Sequence, residues 1–222
     1  MTEIITIDGP GGVGKTTVSR GLAARLGYRM LASGLIYRAM AWYLLQGGWQ
    51  PGQPADMVRL SGLRLSIGAD GGIHHQGRRL DEALKDERVA AATSRISTAP
   101  AVREQANRLL KATVEAIAAE GKIPGVILEG RDMGSVVFPH ARHKFFLDGD
   151  PAVRAERRFL ELARQSPGVQ RGHVAQGLAE RDARDAGRDI APLKPAADAT
   201  IIDTTHLTQE QVLDAICAQL AG

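Results

Sequence analysis

The chain is poor in cysteine and in aromatic residues: one cysteine, Cys217, stands among 222 residues, and Phe, Trp and Tyr make up 4%. A single cysteine excludes a disulfide framework. Cys217 shares a helical stripe with Val212, Leu213, Ile216 and Leu220, and is expected to be core. Scarce aromatics leave few platforms for stacking single-stranded nucleic acid. No apolar run approaches the roughly 20 residues of a membrane span, and the N-terminus lacks a secretory-signal pattern. A cytoplasmic protein with no membrane partner is therefore expected. Net charge is also small, because 28 Lys and Arg meet 25 Asp and Glu to leave +3. Arg154, Arg157, Arg158 and Arg164 form one basic group, and Arg171, Arg181, Arg184 and Arg188 a second. Asp182, Asp185 and Asp189 are threaded among the second group, which suits a small anionic ligand better than a long duplex. There is no internal repeat, and the length suits one domain with small insertions.

What is present is concentrated near the start. Gly9-Pro10-Gly11-Gly12-Val13-Gly14-Lys15-Thr16 fills every fixed place of the pattern G-x-x-x-x-G-K-[ST], which cradles a nucleoside triphosphate. Glycines let backbone N–H groups close around phosphates, the next helix offers its positive N-terminal end, and Lys15 adds a point charge. Thr16 is placed to hold Mg²⁺, and the adjacent Thr17 leaves open which hydroxyl touches the ion. The context is right: Ile4, Ile5 and Ile7 form a β-branched run ending at Asp8. After the motif, Val18, Leu22 and Leu26 recur at helical spacing until Gly27 stops the helix.

Four more apolar runs read as buried strands, Tyr28 to Leu31, Gly125 to Leu128, Lys144 to Leu147 and Ala199 to Ile202. Helical patterns cover Leu35 to Gln46, Ala101 to Glu120, Pro151 to Arg164, Val174 to Arg184 and Gln209 to Leu220. Thr208 and Gln211 suit a capping box, and Pro151 after Asp150 suits a first helical position. Alternating strands and helices predict an α/β fold, a parallel sheet with helices on both faces. Two stretches break the alternation. Leu63 to Arg79 alternates, turns at Asp70-Gly71-Gly72 and resumes, which predicts an antiparallel hairpin and an inserted subdomain. Gln165 to Gly172, with Ser166, Pro167 and Gly168, has the composition of a turn suited to a lid.

The run Val126-Ile127-Leu128-Glu129-Gly130-Arg131-Asp132 ends a strand with a carboxylate, and ligands of α/β sheets sit at that end. Glu129 is placed like the acidic residue that organises Mg²⁺ beside a phosphate loop. Arg38, Arg131, Arg181, Arg184 and Arg188 supply guanidinium groups suited to clamping phosphates. The arginines at helical spacing equally describe a solvated face, with Arg181 and Asp185 as an exposed i,i+4 pair contributing only about 0.3–0.5 kcal/mol. His74 and His75 would point to opposite faces of a strand, and His140, His143, His173 and His206 lack ligand spacing, so no zinc site is expected.

Five segments together carry a closer resemblance: IDGPGGVGKTTVSRGLA from Ile7, SGLIYRAMA from Ser33, ATSRISTAPAVRE from Ala92, GRDMGSVVFP from Gly130 and ERDARDAGRDIAPLKPAADA from Glu180. Through them the chain resembles the bacterial cytidylate kinases, of the nucleoside monophosphate kinase group, nearly end to end. The resemblance implies a five-stranded parallel P-loop kinase core over 1–62 and 118–222, a monophosphate-binding insert over 63–117 and a lid over 157–182. It implies a monomer acting on nucleotides, with ATP as donor and Mg²⁺ as cofactor. Ser94, Arg103 and Asp132, with Ser33 nearby, would read the cytosine edge. Arg38, Arg131 and Arg188 would hold the acceptor phosphate, Arg181 and Asp185 the ribose, and Arg157 would approach the donor. Gly9, Gly11, Gly12, Gly14, Lys15, Thr16 and Thr17 would bind ATP, with Lys15, Arg131, Arg184 and Arg188 acting on the transferred group. The chain departs from the family pattern at Ala32 and Glu129, where Asp is usual, and at Thr16, often Gly or Ser. These departures suggest a linked change, the longer Glu129 reaching space left by the missing carboxylate at 32. Two other readings are a shikimate-like small-molecule kinase, which leaves Ser94, Arg103 and Asp132 no base to read, and a P-loop nucleic-acid or regulatory ATPase, favoured only by the basic balance.

Overall fold

The structure, a computed structural model, describes residues 2–68, 71–164 and 168–220. The chain opens with β1 (Glu3–Asp8), α1 (Lys15–Leu26), β2 (Arg29–Ala32), α2 (Ser33–Gln46) and α3 (Met57–Ser61). There follow β3 (Leu65–Ile67), β4 (Ile73–His75), β5 (Arg78–Arg79), a 3₁₀ turn at Ala83–Lys85, α4 (Glu87–Ile96) and α5 (Pro100–Glu120). The last stretch holds β6 (Gly125–Glu129), a π-helical turn at Met133–Val137, β7 (His143–Asp148), α6 (Pro151–Ala163), α7 (Arg171–Ala186), β8 (Thr200–Asp203) and α8 (Gln209–Leu220). The main sheet is five-stranded and parallel, in the order β2-β6-β1-β7-β8, and a second sheet has the order β3-β4-β5. All five strands of the main sheet coincide with the apolar runs of the sequence to within a residue or so.

By compactness the chain falls into two units, 1–2 with 29–126 and 3–28 with 127–222. In the second unit, Ile5 and Ile7 of β1, Phe145 and Leu147 of β7 and Ile202 of β8 are buried, and α1 packs against α8 through Val18, Leu22, Leu213 and Ile216. Burying each such side chain contributes about 1.5–3 kcal/mol. Both expected caps form. Asp150 accepts from the amides of Ala152 and Val153 at the start of α6, and Thr208 and Gln211 exchange side-chain to backbone bonds at 3.2 and 2.8 Å at the start of α8. Cys217 differs from expectation in being half-buried, with the Arg25 guanidinium 3.9 Å from its sulfur.

In the first unit, α2 packs against α4 and α5, burying Ile36, Met40 and Leu44 with Val89, Ala92, Ile96, Val102, Ala106 and Leu110. The hairpin pairs Leu65 with His75 and Ile67 with Ile73, and gains an unexpected third strand in β5. The expected turn residue Asp70 lies outside the described residues, as do Gln165, Ser166 and Pro167 of the second interruption. The helices α3 and α4 were not expected. In α4 the apolar stripe Val89, Ala92 and Ile96 is interrupted by Thr93 and Ser94, poor helix formers that mask its period.

Candidate active site

The phosphate loop follows β1, whose carboxyl end adjoins that of β6: the Gly130 amide donates to the Ile7 carbonyl at 3.1 Å. Two glycines are required by the path of the loop. Gly9 has φ +147°, and a Cβ there would fall on the Leu147 carbonyl oxygen. Gly12 has φ +71°, with its missing Cβ position 2.6 Å from the Arg154 carbonyl oxygen. Lys15 opens α1 and is 5% exposed, its Nζ donating to the Pro10 carbonyl at 2.6 Å. Burial, then the positive charge of Arg131, holds the Lys15 ammonium well below the ordinary lysine range, and Glu129 and Asp8 offset this only in part. A buried ammonium disfavoured by neighbouring arginines marks a place that an anion would complete.

Of the two threonine hydroxyls, Thr16 is the one engaged. Its Oγ1 lies 3.1 and 3.0 Å from the two carboxylate oxygens of Glu129, at the end of β6. A hydroxyl facing a carboxylate beside a phosphate loop is a hard-oxygen donor pair, the chemistry Mg²⁺ selects. Among the described residues no group of three or more His, Cys, Asp or Glu could hold a metal. The donors present therefore fit an ion that takes few protein ligands and completes its shell with water and phosphate oxygens. Asp8, the last residue of β1, is buried and accepts from the Met133 and Gly134 amides at 2.9 and 2.7 Å. It thereby ties the turn that follows Arg131 and Asp132 to the base of the loop. Burial, with a contribution from Asp132, raises the Asp8 carboxyl to about 6 against the lowering effect of those amides and Lys15.

Asp185 of α7 is the centre of the arginine cluster. It accepts from Arg131 Nε at 3.1 Å and from Arg188 NH2, and Arg181 Nε stands 3.9 Å away. The alternative reading of Arg181 and Asp185 as an exposed pair is corrected: the Asp185 side chain, bonded by Arg131 and Arg188, is 5% exposed, whereas Arg181 is 54% exposed. The buried Nε of Arg188 has no hydrogen-bond partner among the described residues. Arg184 stays outside this cluster, exposed and 3.9 Å from Glu180. Arg157 donates to Thr204 Oγ1 at 3.1 Å and to the Thr204 carbonyl at 2.7 Å, pinning the loop after β8. Its neighbour Arg158 joins Arg181, Leu162, His173 and Leu178 around a cavity of about 440 Å³ between α6 and α7.

In the first unit, Ser33 is buried at the start of α2 and Arg38 donates to the Leu84 carbonyl at 2.7 Å. Arg103 is buried on α5, donating to the Ser97 carbonyl at 3.3 Å with its guanidinium 5.8 Å from the Tyr37 ring centre. Ser94 is exposed one turn before the end of α4. Sequence reasoning did not single out Asp8 or Asp182. The signal for Asp8 was its place at the tip of an apolar strand, and for Asp182 its place among the arginines of α7.

These features meet an independent finding. The family model for cytidylate kinase matches residues 5–221. A cytidylate kinase of Nitratidesulfovibrio vulgaris (strain Hildenborough) is 39% identical over 217 residues, covering 96% of this chain and 90% of that protein. One of Pseudomonas fluorescens (strain Pf0-1) is 37% identical over 227 residues, covering 100% and 96%. Among solved structures, an uncharacterized protein from Eubacterium ventriosum shares the fold, with a TM-score of 0.51 at 14% identity over 100% of this chain and 99% of that one. With the phosphate loop, the strand-end carboxylate and the arginine cluster all inside a match that spans nearly its whole length, the chain belongs to the cytidylate kinase family.

Proposed function

We propose that this enzyme transfers the γ-phosphoryl group of ATP to CMP or dCMP, giving the diphosphate and ADP. The observation that carries this reading is the buried Lys15, its ammonium disfavoured by Arg131, beside the Thr16–Glu129 pair at the strand tips. The acceptor is a phosphate oxygen, anionic near neutral pH, so alignment and charge neutralisation matter more than proton removal. The acceptor oxygen forms a bond to the γ-phosphorus as the bond from that phosphorus to the bridging oxygen breaks, and ADP leaves with the electron pair. Lys15 and the backbone amides of the loop hold the donor phosphates, and Arg131 and Arg188 neutralise charge on the transferring group. Asp185 fixes those two guanidiniums through the bonds described above. Mg²⁺, held by the Thr16 hydroxyl and the Glu129 carboxylate, would add charge neutralisation at the donor phosphates.

The resemblance supports cytosine contacts for Ser94, Arg103 and Asp132 with Ser33 nearby, acceptor-phosphate contacts for Arg38, Arg131 and Arg188, ribose contacts for Arg181 and Asp185, and an approach of Arg157 to the donor. Arg184, exposed and 3.9 Å from Glu180, would act with Arg131 and Arg188 on the transferred group. The resemblance also supports reading 63–117 as the monophosphate-binding insert and 157–182 as the lid that closes over the nucleotides and excludes water. The resemblance supports a cytoplasmic monomer, and among the described residues no helix is long and apolar enough to cross a membrane. The test is a coupled assay offering CMP, dCMP, UMP, AMP and shikimate in parallel with ATP and Mg²⁺. A cytidine nucleotide is expected to lead, with negligible ATP turnover when no acceptor is present. A rate led by any other acceptor, or free ATP hydrolysis at the coupled rate, overturns the assignment.

A further inference from the structure

The phosphate loop is gripped at Gly11 from two directions. Asp182 of α7 accepts the Gly11 amide at 3.0 Å, and Arg154 of α6 donates to the Gly11 carbonyl at 2.9 Å. The two side chains are also ion-paired with each other. Arg154, 7% exposed, has its Nε bonded to the Gly149 carbonyl at 2.9 Å, so it is fixed to the loop after β7. One turn before Asp182, Leu178 lies where a Cβ on Gly11 would stand and 3.3 Å from where one on Gly12 would. Leu178, Asp182 and Asp185 follow at i, i+4 and i+7 on one face of α7. That face touches the phosphate loop at one end and Arg131 at the other.

We infer that Asp182, braced by Arg154, is a positioning residue for the donor nucleotide: it sets the orientation of the Gly11 peptide and so the directions in which the loop amides point at the phosphates. Both backbone polar groups of Gly11 are held by charged side chains, the stronger class of hydrogen bond: its amide, in the Pro10–Gly11 peptide, by Asp182, and its carbonyl, in the Gly11–Gly12 peptide, by Arg154. With one group of each of the two flanking peptide planes held, rotation about the Gly11 Cα is restrained, and a phosphate loop works only with its amides converging. The inference rests on the reading of this loop as the ATP site and goes beyond it, since neither residue is among those assigned a contact with a nucleotide.

Direct binding of each nucleotide alone, ATP with Mg²⁺ in one titration and CMP in another, tests it on the full chain. Asp182→Ala removes both the acceptor and the ion pair, and is expected to raise the Kd for ATP by about tenfold, the loss of one hydrogen bond to a charged group. Asp182→Asn keeps an acceptor for the Gly11 amide and should recover most of that affinity. CMP affinity should stay within about twofold in both, because the Arg131–Asp185–Arg188 bonds are untouched. An unchanged Kd for ATP in Asp182→Ala overturns the inference, as does a parallel loss for both nucleotides, which would mark general loosening of α7. Should Asp182→Ala fail to fold, Arg154→Lys decides: it keeps the charge but loses the fork, and a normal Kd for ATP in it overturns the inference. Wild-type protein that does not bind ATP would instead refute the donor-site reading itself, so the two failures are told apart.

Discussion

Replacing Asp185 by Asn tests whether the arginine cluster is machinery or merely a surface face. The wild-type carboxylate accepts from Arg131 and Arg188, whose side chains are only 17% and 13% exposed. Asn keeps one acceptor oxygen and presents an amide to the second guanidinium, so one charge-assisted bond is lost outright and the other is weakened by losing its charged acceptor. With about 1.5–3 kcal/mol for the bond lost and about 0.5–1 kcal/mol for the weakening of the other, the loss is about 2–4 kcal/mol. Partial exposure of both arginines lets water recover some of this and favours the lower end. At about 2–4 °C per kcal/mol for a chain of this size, Tm should fall by about 4–16 °C. If about 2–3 kcal/mol of the loss is expressed in the transition state, kcat/KM for CMP falls about 30- to 150-fold. The assay is initial rate against CMP at saturating ATP, with a calorimetric melt of the same sample. A variant within twofold of wild type on CMP and unchanged in Tm would refute the argument that this aspartate orients two phosphate-binding arginines.

Asp8 makes a prediction in pH. Its folded carboxyl titrates at about 6 against an ordinary 3.8, so the native state holds this proton more tightly than the unfolded chain. Stability contributed by Asp8 is therefore full below about pH 4 and declines as pH rises to about 6, by up to about 3 kcal/mol. Asp8→Asn should abolish that decline, seen as a Tm difference from wild type that changes between pH 4 and 6.5; a difference constant with pH would refute the burial argument. Glu129→Gln should raise the Mg²⁺ concentration for half-maximal rate by about tenfold or more while the KM for CMP barely moves, and identical Mg²⁺ dependence would leave Glu129 without a metal role. Thr208→Ala removes the hydroxyl that caps α8 and should cost about 1 kcal/mol in urea unfolding; an unchanged midpoint would mean the capping box contributes nothing.

Where structure is decided locally, the sequence was legible. The five strands, the Asp150 and Thr208 caps and the glycine-rich loop all depend on residues within a few positions of one another. The Thr16–Glu129 contact spans 113 positions yet was foreseeable, because strand topology alone brings the end of β6 beside the end of β1. Asp185 was not legible in that way. Its spacing from Arg181 suits a solvated helix face, and its bond to Arg131, 54 positions away, is not readable from that spacing. Asp8 likewise reads as the end of an apolar run until the Met133 and Gly134 amides fold onto it. The half-exposed Cys217 shows the converse: Arg25, drawn over by Asp214 and Glu210, reaches the stripe that spacing alone marks as core.

The charges at the strand tips bear on what the proposed divalent ion would do. Asp185 is satisfied by Arg131 and Arg188, Asp182 by Arg154, and Asp8 by two backbone amides. Glu129 differs, since its bonded partner is a neutral hydroxyl. Left so, its carboxylate would stand beside an incoming polyphosphate and repel it, while Lys15 alone would offset little of that repulsion. A cation between the carboxylate and the phosphates turns the repulsion into two attractions and leaves the hydroxyl as a further oxygen donor. Burial and then the neighbouring Arg131 depress Lys15 beyond what Glu129 and Asp8 offset, so an arriving polyphosphate would stabilise its charge further. Donor binding should therefore draw a proton onto Lys15 wherever the free enzyme has lost it, which couples ATP affinity to pH from the lysine side.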